Sequence, residues 1–94
     1  MNESSDEPFC INTHDVVWRE IGDELVVLQI STATYLSING SGRTLWKRLV
    51  DCATPTELVE ALTERYGIEA EVARRDVDGF VASLIACGLI ADKP

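Results

Sequence analysis

Apolar residues recur along this chain with two different rhythms. Up to Asn39 the pattern suits β-strands, and beyond it the period changes from 2 to 3.6, the period of an α-helix. Residues 16–21 (VVWREI) are β-branched and aromatic and predict a strand. Gly22-Asp23 follows, a two-residue turn of the kind that joins hairpin strands. Residues 24–30 (ELVVLQI) form a near-continuous apolar run, suited to a central strand. After the small, polar Ser31-Thr32-Ala33, residues 34–38 (TYLSI) predict a third short strand. In it Leu36 and Ile38 share one face, and Tyr35 and Ser37 share the other. The reading is a three-stranded antiparallel meander.

Asn39-Gly40-Ser41-Gly42 ends the strands. A first helix is expected over 42–52, with Leu45, Trp46 and Leu49 on one stripe. Thr54-Pro55-Thr56-Glu57 is a helix-start signature: Thr54 can cap, Pro55 suits the first helical position, and Glu57 can complete a capping box. The second helix carries Leu58, Ala61, Leu62 and Tyr66 and stops at Gly67, and the third runs from about Glu69 to Cys87, ahead of Gly88. On this third helix Val77, Phe80, Val81, Leu84 and Ile85 span a stripe of about 140°. A stripe that wide can serve the core and also face whatever lies beside the sheet. Gly79 is expected on the opposite, polar face beside Arg75. The fold class is therefore α+β: a three-stranded antiparallel sheet followed by three helices, similar to a winged helix-turn-helix with its sheet placed first. Residues 1–13 are expected as a flexible acidic tail, 14–91 as one folded domain and 92–94 as a short C-terminal tail.

At 94 residues and 10.4 kDa, one modest core is affordable and a deep catalytic cavity is not. Sixteen Asp and Glu against eight Lys and Arg give a net charge of −8, which repels phosphate backbones, so nucleic acid is not expected as a partner. A DNA-binding winged helix would need a basic recognition helix, but here Arg74 and Arg75 stand against Glu69, Glu71, Asp76 and Asp78. No run reaches the roughly 18 apolar residues of a membrane span and no signal peptide is evident, so no membrane partner and a cytoplasmic location are expected. Cys10, Cys52 and Cys87 are odd in number and widely spaced, which predicts neither a disulfide framework nor a zinc site and fits a reducing compartment. Cys52 and Cys87 read as small apolar residues.

Catalytic chemistry is missing. His14 is the single histidine, which excludes a triad or a two-histidine metal site within one chain. Gly40-Ser41-Gly42 lacks the lysine of a phosphate cradle. The pairs Glu69/Glu71 and Asp76/Asp78 are two residues apart and point away from each other on a helix. Asp76 lies at the edge of the apolar stripe, where it is either a solvated acid or an acceptor at the sheet–helix junction. No enzyme activity, cofactor or metal is expected, and the chain reads as a binding module.

Tyr35-Leu36-Ser37-Ile38-Asn39, Leu45-Trp46, Thr56-Glu57-Leu58, Tyr66, Asp76-Val77 with Phe80-Val81 and Leu84, and Gly88-Leu89-Ile90 occur in that order. The ordered set, over about residues 14–91, resembles the PqqD-like family, the RiPP recognition elements of ribosomal peptide biosynthesis. The resemblance implies binding of a precursor's leader peptide, which adds as a strand to the third strand and packs on the third helix. Within the family the chain looks most like the stand-alone proteins of lasso-peptide clusters. That implies a transglutaminase-like leader peptidase as partner, with the cyclase as a further one. The pyrroloquinoline-quinone chaperone that presents a precursor to a radical enzyme is the alternative. One departure is Asp51-Cys52-Ala53, where the family often has Asp-Gly. The third strand carries no Lys or Pro to block pairing, so it can accept a peptide or a second copy of the chain as a homodimer. The implied peptide-binding residues are Thr34, Tyr35, Leu36, Ser37 and Ile38 on the edge, with Ala73, Asp76, Val77, Phe80 and Leu84 on the helix wall.

Overall fold

The computed structural model describes residues 7–90. A short 3-10 turn (Thr13–Asp15) leads into β1 (Val16–Ile21), β2 (Glu24–Gln29) and β3 (Thr34–Ile38), then α1 (Ser41–Val50), α2 (Pro55–Tyr66) and α3 (Ala70–Ala86). The sheet is antiparallel in the order β1-β2-β3, as the meander predicts.

Register follows from the first hairpin. Gly22 takes φ +61°, and Ile21 pairs with Glu24 across a two-residue loop. Such a loop closes on a hydrogen-bonded pair, and hydrogen-bonded and non-bonded pairs then alternate. On β2 the main-chain groups of Glu24, Val26 and Leu28 therefore point to β1, and those of Leu25, Val27 and Gln29 point to β3. Their partners on β3 are Ile38, Leu36 and Thr34. By the same alternation, the N–H and C=O groups of Tyr35 and Ser37 point to the open edge.

One sheet face packs on the helices. Leu25 and Val27 are fully buried, Val16 and Ile38 nearly so, and Trp18 meets Trp46 of α1 edge-on with ring centroids 6.3 Å apart. Leu45, Trp46 and Leu49 of α1, Leu58 and Leu62 of α2, and Ala73, Val77, Val81 and Leu84 of α3 complete the core. The capping box forms as expected: Glu57 N–H donates to Thr54 Oγ1 at 3.1 Å and Thr54 N–H donates to Glu57 Oε1 at 2.9 Å. Gly42 has a packing role. A Cβ there would sit 2.7 Å from Ile38 Cγ2 and 3.0 Å from Phe80 Cε1, so only glycine lets β3, α1 and α3 converge.

The structure corrects two expectations near the N-terminus. Residues 9–13 are held in the fold rather than in a tail. Phe9 and Ala53 exchange main-chain hydrogen bonds of 2.8 and 2.9 Å, Ile11 N–H donates to Leu49 O, Asn12 N–H donates to Leu89 O, and Ile11 is buried. The rest of the expected tails, 1–6 and 92–94, lies outside the described residues. Cys10 and Cys52 are not free thiols: the Phe9–Ala53 bridge brings them together and they form a disulfide. Cys52 is exposed with φ +67°, a left-handed conformation that favours glycine, which accounts for the expected Asp-Gly at this turn. Cys87, free, is also exposed rather than a core residue.

Candidate functional site

A groove of about 580 Å³ runs between β3 and α3. Its floor is apolar: Leu36 and Ile38 from β3, Leu45 from α1, and Phe80 and Leu84 from α3. Its rim is polar, with Ser37, Asn39 and Ser41 on one side and Arg75, Asp76 and Ser83 on the other. Leu36 also borders a smaller cavity of about 50 Å³ that continues toward Thr34 and Tyr35 and reaches Cys87 and Leu89.

The geometry sorts the expected residues into three groups. Leu36, Ser37, Ile38, Asp76, Phe80 and Leu84 line the groove together. Thr34 and Tyr35 lie beyond its end, at the smaller cavity, where Tyr35 is 71% exposed. Ala73 and Val77 do not line it. Ala73 is fully buried in the core, and Val77 turns to the far flank of α3 beside Phe9, Pro55 and Val81. The wide stripe of α3 thus divides: its centre fills the core, Phe80 flanks the groove, and Ile85 is exposed on the far flank.

The groove also takes in residues outside the expected set: Asn39, Ser41, Gly42 and Leu45 ahead of α3, and Arg75, Gly79 and Ser83 on it. Gly79 borders the groove rather than the opposite face, and open space surrounds the position of its absent Cβ. The available signal was spacing: residues 75, 76, 79, 80 and 83 recur at helical intervals, but apolar character alone centres the stripe on the core. Asp76 is exposed on the groove rim and accepts no hydrogen bond among the described residues. Ser37 Oγ donates to Glu24 Oε1 at 3.2 Å across the outer face, leaving its main chain directed to the edge. No described segment pairs with β3 on that edge. Among the described residues no group of His, Cys, Asp and Glu could hold a metal ion, and no helix is long and apolar enough to cross a membrane.

Residues 24–90 match the family model described as coenzyme PQQ synthesis protein D (PqqD). Two solved structures share the fold. One is TbiB1 in complex with the TbiA(beta) leader peptide: 28% identical, covering 90% of this chain and 98% of that one, with a TM-score of 0.82. The other is a lasso peptide synthetase B1 complexed with the leader peptide: 24% identical, covering 89% of this chain and 98% of that one, with a TM-score of 0.78. A comparison with curated protein sequences finds no match. From the pairing of β2 to the bridge at Ile90, the chain belongs to the PqqD family and is a PqqD-like RiPP recognition element.

Proposed function

We propose that this chain binds the leader of a ribosomally made precursor peptide as a fourth strand on β3 and delivers it to a transglutaminase-like leader peptidase in lasso-peptide biosynthesis. The observation that carries the reading is the open β3 edge beside an apolar wall. Tyr35 and Ser37 present two N–H donors and two C=O acceptors to an incoming strand, and Leu36, Ile38, Phe80 and Leu84 receive its side chains. Three or four main-chain bonds at about 0.5–1.5 kcal/mol each and two buried anchors at about 1.5–3 kcal/mol each give roughly 5–12 kcal/mol. Ordering the leader subtracts roughly 2–5 kcal/mol from this, leaving micromolar affinity within reach.

The solved neighbours support the reading, because both are complexes with leader peptides. Binding is the chain's whole task in this reading, and cleavage belongs to the peptidase. The cyclase is a further partner. A cytoplasmic location rests on the ribosomal origin of the precursor; the Cys10–Cys52 bond removes the support that free thiols would have given.

Calorimetry with the leader peptide, followed by leader cleavage with and without this chain, tests the proposal. The expected results are one-to-one binding and faster cleavage in its presence. A leader that binds without speeding cleavage, but that promotes modification by a radical enzyme, replaces the lasso reading with the quinone-chaperone one. No binding refutes both.

A further inference from the structure

The charges of this acidic chain are segregated. Four of its eight Lys and Arg residues, Arg43, Lys47, Arg48 and Arg65, line one shallow basin of about 490 Å³ together with Thr44 and Glu64. Arg43, Lys47 and Arg48 come from α1, and Arg65 comes from the last turn of α2. The groove lies on the other side of the α1 N-terminus, where Ser41 and Gly42 line it.

The basin is built rather than scattered. Glu20 of β1 reaches over α1 and holds Lys47 Nζ at 2.6 Å and Arg43 at 3.8 Å. The hydroxyls of Thr44 and Tyr66 meet at 3.0 Å and tie α1 to α2, with the Arg65 guanidinium 5.8 Å from the Tyr66 ring centroid. The Thr44 hydrogen bond, and after it the charges of Arg65 and Arg43, hold the Tyr66 phenol below its ordinary pKa. Arg43 Nε is buried without a hydrogen-bond partner, while Arg48 and Arg65 are exposed and form no ion pair among the described residues.

We propose that this α1–α2 face docks an acidic, carboxylate-rich segment of a protein partner while the leader occupies the groove. The proposal extends the leader-presentation reading and rests on it only for what the docked partner does. Charge complementarity chooses the occupant. Exposed charges act over about 8 Å at physiological salt, so this face is locally positive although the chain is negative. A nucleic-acid backbone would run past the basin onto a surface where, among the described residues, three remaining cations stand against eleven acids. A short acidic segment on a protein meets only the basin.

A polyglutamate peptide serves as probe, with inorganic phosphate and a short DNA duplex as comparisons, followed by amide NMR of the full chain. The expected result is salt-sensitive polyglutamate binding that shifts amides in 43–48 and 64–66. It should weaken at least about tenfold in Arg48→Glu/Arg65→Glu, whose dispersed spectrum shows that it folds, with leader affinity unchanged. Phe80→Asp should weaken leader binding at least about tenfold and keep polyglutamate, so the two readings fail separately. Equal binding of free phosphate, tighter binding of the duplex, or shifts outside this face would each overturn the proposal.

Discussion

Proline at Ser37 probes the edge by removing one N–H. In the register found here that N–H points away from β2, so the free protein loses no ladder bond. An edge strand tolerates proline on its solvent side. The incoming leader does lose a main-chain bond worth about 0.5–1.5 kcal/mol. The proline ring also stands where the next strand must approach, which disturbs the neighbouring bond at Tyr35 by a similar amount. The combined loss is about 1–3 kcal/mol, or roughly 5- to 150-fold in Kd. Leu36→Pro is the control with the opposite outcome. Its N–H points to Val27, so the substitution breaks a ladder bond and also removes a half-buried side chain. Thermal melts and leader calorimetry on both variants separate the cases: Ser37→Pro should keep its melting temperature within a few degrees and lose affinity, and Leu36→Pro should melt much earlier. A Ser37→Pro protein that binds leader normally, or that unfolds as readily as Leu36→Pro, would refute the register.

Four further outcomes follow from the same geometry. Phe80→Asp should weaken leader binding by about 1.5–3 kcal/mol through loss of an apolar anchor, with a native circular-dichroism spectrum, because Phe80 is only half-buried. Gly42→Ala should lower stability by about 1–3 kcal/mol in chemical denaturation, because its Cβ overpacks Ile38 and Phe80. Cys10→Ser/Cys52→Ser should cost about 2–4 kcal/mol of stability by the same method, the bond closing a sequence separation of 42 that takes in the sheet and α1. Cys87, exposed beside Tyr35 and Leu36, should be alkylated quickly in the free chain and slowly with leader bound.

Local chemistry made most of the fold legible. The Gly22-Asp23 turn, the switch of period after Asn39, and the Thr54-Pro55-Glu57 start each specify their element without help from distant residues. What the sequence concealed depends on distant contacts. The Phe9–Ala53 pairing joins segments far apart in the chain, so neither the pinned N-terminal residues nor the Cys10–Cys52 bond shows in local spacing. The one local trace is Cys52 itself, a cysteine where the turn wants glycine. The site was half legible for a related reason. Phe80 and Leu84 are apolar and mark the stripe, but whether Val77 or Gly79 faces the groove depends on how far α3 is rotated against the sheet. Burial of Ala73, Val77, Val81 and Leu84 fixes that rotation, and an apolar stripe about 140° wide does not. The basic face was hidden by the overall charge, since Arg43, Lys47, Arg48 and Arg65 gather only when α1 and the end of α2 pack together.

Amide hydrogen exchange resolved by residue, with and without leader, reads the fourth-strand geometry most directly. Tyr35 and Ser37 should exchange quickly in the free chain and become protected on binding, while Leu36 and Ile38 are protected in both states. Unchanged exchange at Tyr35 and Ser37 under saturating leader, or new protection at Trp18 and Glu20 on the β1 edge instead, would contradict it.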